Sequence, residues 1–233
     1  VLGILFAILL FLCSVWIVPP GEHVELPEKV LKSGRAKEEG ISLASGDMIK
    51  RSAFWLQFLW ATILSAAGLA VIGHAAVSAQ DIGASVAMAT VITGIISISN
   101  GVGRVLAGVT FDTLGRKVCV RLDNLVMVAA FAVLVFAVSS ESIPIFITGG
   151  VLLGLAYGSL PPTNSAYVNL FYGSENYALN FSFMNSNIIP ASFLGPLVAG
   201  AIKTATGSYL TVFVLLLVLS AVSFGFQLFI KRP

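Results

Sequence analysis

Arg104 stands inside an apolar run, Asn100 to Phe111, that is otherwise free of charge. A charge at the centre of a membrane helix costs roughly 2.5–3.5 kcal/mol on insertion scales, so such a residue is kept where a cavity, a partner or a ligand compensates it. Thr90, Thr93, Ser97, Asn100 and Arg104 recur at steps of three and four, which places them on one face of a helix. That polar stripe is expected to face a bundle interior or an aqueous path rather than lipid. A guanidinium offers a planar fork of donors that matches a carboxylate. Arg104 therefore either binds an anionic ligand or, lying roughly 10 Å from the turn at Asp112 by the helical rise, snorkels to the interface or pairs with a structural partner. Acids are scarce around it. Asp112 and Asp123 fall near one end of their segments, Asp81 and Glu141 near the other, and Glu175 in a turn. The lack of a counter-charge favours an anionic ligand, unless a partner lies outside this sequence.

A second polar set, Asn180, Ser182, Asn185, Ser186 and Asn187, interrupts a later apolar segment. Asn180 and Asn187 are seven apart and share a face with Met184 between them. Amides in a bilayer either contact a solute or join helices. Gln57 and Ser65 read the same way. His74 reads as a hydrogen-bonding residue near a helix end, and Tyr157 as a candidate cavity-lining aromatic.

The elements that must position these residues follow from composition. The chain is 57% hydrophobic and 10% charged, with a mean hydropathy of +0.96, whereas soluble domains are near a quarter charged. So few charges cannot cover a water-facing surface, and the chain reads as an all-α, polytopic, integral membrane protein. No metal-ligand spacing, nucleotide loop or nucleophile elbow is present. Gly101-x-Gly103 lacks the third glycine and follows no strand. No acid/base pair lies in or near the spans, so neither an enzyme, a cofactor nor a nucleic-acid partner is expected. Cys13 and Cys119 lie in or beside apolar segments and read as small core residues.

In chain order, residues 1–18 are apolar from the first residue and long enough to cross a ~30 Å hydrocarbon core. The chain thus reads as opening inside a membrane helix, as a fragment would. Residues 19–52 invert the composition and read as a solvated linker that can hold short helices. Residues 53–233 form a six-span domain, with apolar stretches at about 53–78, 83–111, 122–139, 143–171, 177–202 and 207–230. Eleven of the thirteen basic residues fall in the linker, the turn carrying Arg116, Lys117 and Arg121, and the C-terminus. By the positive-inside rule that side, linker and C-terminus included, is cytoplasmic, in a plasma or inner membrane. Gly150, Gly154 and Gly158 give the 143–171 span one small-residue face for close packing, after which Pro161-Pro162 is expected to break it. Pro190 and Pro196 are expected to kink the next span.

The turn Gly108-x-x-x-Asp112-x-x-Gly115-Arg116-Lys117 resembles the inter-helix signature of the major facilitator superfamily, with Thr113 in place of the usual basic residue. Asn100-Gly-Val-Gly-Arg104, the stretch ending Gly73-His74, and Ser45-Gly-Asp47 resemble the C-terminal half of the oxalate/formate antiporter family. The resemblance implies that residues 1–18 are the sixth helix of a twelve-helix transporter, 19–52 the link between halves, and 53–233 helices seven to twelve. The N-terminal six-helix half is then the partner that completes the path. It implies alternating-access transport of a small carboxylate, with Arg104 at the family's basic position. The eleventh-helix region, Asn180 to Phe193, has no lysine, and a single positive charge suits a monocarboxylate better than a dianion. Arg104, Asn100, Ser97, Tyr157, Asn180 and Asn187 are the expected substrate contacts. Gly108, Asp112, Gly115, Arg116 and Lys117 would form a two-state latch at the helix ends. The same fold carrying a sugar or drug, or a membrane protein that moves nothing, are the alternatives.

Overall fold

The computed structural model describes residues 8–13 and 42–230. The chain separates into two compact units, residues 1–36 and 37–233. In the first, residues 8–13 are helical and all six side chains are exposed. The rest of the expected opening helix and residues 19–41 of the expected linker lie outside the described residues. Cys13, expected in a core, is instead exposed. It belongs to a helical stretch whose apolar side chains, Ile8 to Leu12, are themselves more than half exposed.

The second unit is all helix among its described residues: α1 (Ser45–Met48), α2 (Ser52–Asp81), α3 (Val86–Leu114), α4 (Arg116–Ser139), α5 (Ile143–Tyr172), α6 (Tyr177–Asn185), α7 (Ile188–Thr206) and α8 (Tyr209–Phe229). Six helical spans are long and apolar enough to cross a membrane, α6 and α7 counting together as one. The connections are short because each has a stop signal. Ser85 caps α3 by accepting from the Met88 amide at 3.2 Å. Gly115, at φ 81°, turns α3 straight into α4 in a backbone region that glycine enters without penalty.

Residues 42–51 are not a free connector. The Leu43 amide donates to the Tyr172 carbonyl at 3.1 Å, Met48 is fully buried, and it joins Phe54, Tyr167, Phe171 and Tyr172 in a cluster at one end of the bundle. The short α1 presents an apolar side chain that the charge-rich local composition conceals.

The proline readings divide. α5 runs unbroken from Ile143 to Tyr172 through Pro161 and Pro162. The expected break is absent because a bilayer offers no water to backbone groups freed by unwinding, so the helix continues on either side of its missing donors. The break lies instead between α6 and α7. Pro190 cannot donate to the Ser186 carbonyl, which takes the Ile189 amide at 3.0 Å, while Asn187 tightens to an i−3 bond with Met184 at 3.3 Å.

Helix α3 packs most extensively on α5, through the glycine face the spacing predicts. A Cβ added at Gly158 would lie 2.1 Å from the Asn100 carbonyl oxygen, and one at Gly154 2.6 Å from that of Ile96. Gly103 makes the reciprocal approach, 2.2 Å from the Leu155 oxygen. Backbones this close gain dispersion along their length, the main attraction between helices where lipid is as apolar as leucine. Gly195 does the same for α7 on α2, against the Ala66 oxygen.

Candidate functional site

The six spans are buried very unequally. Half of the most apolar window is buried in α2 and in α5, but only 28% in α3 and 17% in α6–α7. The polar stripe lies on one of these two open spans. Ser97 and Arg104 are exposed and Asn100 is partly buried. Arg104 Nε donates to Asn100 Oδ1 at 3.4 Å, one helical turn away. The Ser97 hydroxyl donates to the Thr93 carbonyl at 2.9 Å, and those of Thr90 and Thr93 likewise return to their own helix. This internal bonding lowers the cost of displaying hydroxyls on an open membrane face and leaves their oxygens free to accept. The ion pairs among the described residues are Lys50–Asp47 and Lys203–Asp81, so Arg104 pairs with no carboxylate there.

The α3–α5 crossing brings Tyr157 near Asn100, whose carbonyl its neighbour Gly158 touches. The far side of the ring rests on Gly68 of α2, where a Cβ would lie 2.4 Å from Cδ2. Arg104, Asn100 and Ser97 thus form one open polar wall on α3, braced from behind by glycine contacts, with Tyr157 of α5 at the crossing beside it.

Asn180 and Asn187 are placed differently. Asn180 is fully buried. It accepts from Ser45 Oγ at 2.6 Å and donates to the Leu43 carbonyl at 2.9 Å, fastening residues 42–48 to α6. Asn187 is 2% exposed and donates to Ser65 Oγ at 3.3 Å, joining the α6–α7 break to α2. Gln57 belongs to a chain of amides: Gln227 donates to it at 3.0 Å, and it donates to Asn164 at 2.9 Å. His74 bridges Tyr209 Oη at 3.0 Å and the Pro196 carbonyl at 3.2 Å.

At the turn, Gly108 has open space around it and Asp112 and Lys117 are exposed. Arg116 is half-buried with its guanidinium 4.8 Å from the centre of the Phe171 ring, a cation–π contact that ties the turn to the end of α5. Sequence reasoning put Asp123 at a helix end. It is instead buried, accepting from Thr163 Oγ1 at 3.0 Å, with the buried Cys119 beside it. Asn124 was also missed. It accepts from Trp60 Nε1 at 2.8 Å and Ser223 Oγ at 3.1 Å, and donates to the Ser220 carbonyl at 2.9 Å, linking three spans. An Asp-Asn pair inside an apolar helix was the signal.

A family model described as Major Facilitator Superfamily matches residues 62–233, which include the open wall, the Gly108–Lys117 turn and five of the six spans. The chain belongs to the major facilitator superfamily. Its all-α, six-span bundle is that of a multi-pass membrane transporter, and the Gly108–Lys117 turn joins two of its spans within the matched residues. A search of curated proteins returned no match.

Proposed function

We propose that this chain supplies one wall of the path of a secondary active transporter for a small organic anion, a monocarboxylate by charge, working by alternating access. The observation that carries the reading is Arg104: a fixed charge exposed on a sparsely buried membrane span, with no carboxylate paired to it among the described residues. Arg104 makes the charge-assisted contact with the carboxylate. Asn100 orients the guanidinium, and Ser97 and Tyr157 flank it. Asn180 and Asn187 act indirectly, by holding α6–α7 in place. A second six-helix half, N-terminal in the oxalate/formate antiporter pattern, covers the open faces of α3 and α6–α7 and forms the opposite wall. The signature turn, hinged at Gly115 and tied to α5 by Arg116, clamps the helix ends in one state and releases them in the other; Gly108 gives a partner helix room to approach and Asp112 offers it a charge. The basic turn, the linker and the C-terminus face the cytoplasm.

Uptake of labelled mono- and dicarboxylates into proteoliposomes holding the full-length transporter, or its Arg104→Gln variant, tests this. Saturable monocarboxylate uptake that the variant loses while remaining folded supports the reading. Equal uptake by both overturns the role of Arg104, and no carboxylate flux overturns the substrate class.

A further inference from the structure

A second charged feature lies away from the open wall. Arg116, Lys117 and Arg121, on the first two turns of α4, line a cavity of about 190 Å³ together with Val120, Gln227 and Ile230 from the end of α8. Three cations converge on this cavity, and among the described residues no acid lines it. Two of the lining side chains are held by the fold: Arg116 stacks on Phe171, and the neutral Gln227, closing the far side, is fixed by its bond to the buried Gln57. Arg121 and Lys117 are exposed and make no ion pair within the described residues.

The surface next to the cavity is apolar. Val118, Leu122 and Leu125 recur at steps of four and three beside Arg121, at 40%, 41% and 56% exposure, and Phe229 beside Ile230 is 72% exposed. This side of α4 and α8 is the outside of membrane spans, where lipid chains are the covering available. A soluble anion would use the cations and leave these side chains bare. A diacyl phospholipid uses both.

We propose that the cavity between the start of α4 and the end of α8 is a binding site for an anionic phospholipid, its headgroup phosphate held by Arg116, Lys117 and Arg121 and its acyl chains lying along Val118, Leu122 and Leu125. Basic pockets between membrane helices bind such headgroups, aided by the negative potential of the leaflet. The site does not rest on what the transporter carries.

The test is lipid retention by the purified full-length protein in detergent, followed by native mass spectrometry during titration with phosphatidylglycerol, phosphatidylcholine or glycerol 3-phosphate. Phosphatidylglycerol should be retained in preference to phosphatidylcholine. Arg121→Gln should weaken that retention about fivefold, as expected for one surface cation, and Arg121→Lys should restore most of it. Thermal unfolding of lipid-free Arg121→Gln serves as the folding control; if that variant is unstable, Lys117→Gln takes its place. Equal retention of both lipids, or undiminished phosphatidylglycerol retention by the variant, overturns the site. Glycerol 3-phosphate binding as tightly as phosphatidylglycerol overturns the lipid assignment.

Discussion

Asn124 and Asn100 are both asparagines in membrane helices, one helix apart, and the structure treats them oppositely. Asn124 is fully buried and satisfied by three groups from two other spans. Asn100 turns its side chain to the open face of α3, and its oxygen meets only Arg104 of its own helix among the bonds described. The contrast extends to their neighbours. Around Asn124 lie Trp60, Ser220 and Ser223, each bonded to it from another helix, and nearby runs the amide chain Gln227–Gln57–Asn164, itself bonded across helices. Around Asn100 lie Ser97, Arg104 and Tyr157, which make no interhelical hydrogen bond among the described residues. A polar group in a bilayer is retained for one of two reasons, to hold helices together or to meet something that comes and goes. Whether its hydrogen bonds cross to another helix separates the two.

That division can be broken at several points. The largest effect is expected at the scaffold behind both sets. Gly158→Val sets a branched side chain against the Asn100 backbone and should destabilise the bundle by about 3 kcal/mol or more, since the obstacle cannot rotate away. Loss of folded protein in a detergent thermal-unfolding assay checks it. Arg104→Gln should leave the unfolding midpoint nearly unchanged and weaken carboxylate binding by about 2 kcal/mol, the worth of a charge-assisted hydrogen bond. Asn124→Leu should do the reverse. It strands the Trp60 indole N–H in the core and costs about 1–2 kcal/mol of stability, with carboxylate affinity retained in the folded fraction. The smallest effect is expected at Asn187→Ala, about 0.6 kcal/mol, the mean for an interhelical bond in a membrane bundle. A loss of affinity there larger than the loss of stability would move Asn187 from the helix contacts to the solute path.

Hydropathy made the six spans legible, because a bilayer admits only helices or closed barrels and demands a minimum apolar length. The spacing of Gly150, Gly154 and Gly158 made the tight α3–α5 crossing legible for a similar reason: only one face of a helix can be that bare. The stripe from Thr90 to Arg104 could be read as one face, and it is an open one. What the sequence concealed depends on third parties. Asp123 looks like a helix-end charge until α5 supplies Thr163. Asn180 looks like a solute contact until Ser45 and Leu43, more than 130 residues earlier, fold back onto it. The two proline sites show the same limit. Pro161-Pro162 is the stronger local breaker, yet α5 runs on through it inside a packed bundle, while the single Pro190 accompanies a break in the most exposed span, where fewer neighbours hold the backbone.

The most direct test of the account measures monocarboxylate affinity and unfolding midpoint together for the full-length transporter carrying Arg104→Gln or Asn124→Leu. The account predicts that Arg104→Gln loses at least about tenfold in affinity at an unchanged midpoint, and that Asn124→Leu unfolds at lower temperature but binds normally while folded. Parental affinity in Arg104→Gln, or an affinity lost in Asn124→Leu at full stability, would contradict the division between the polar residues that hold the bundle and those that meet the solute.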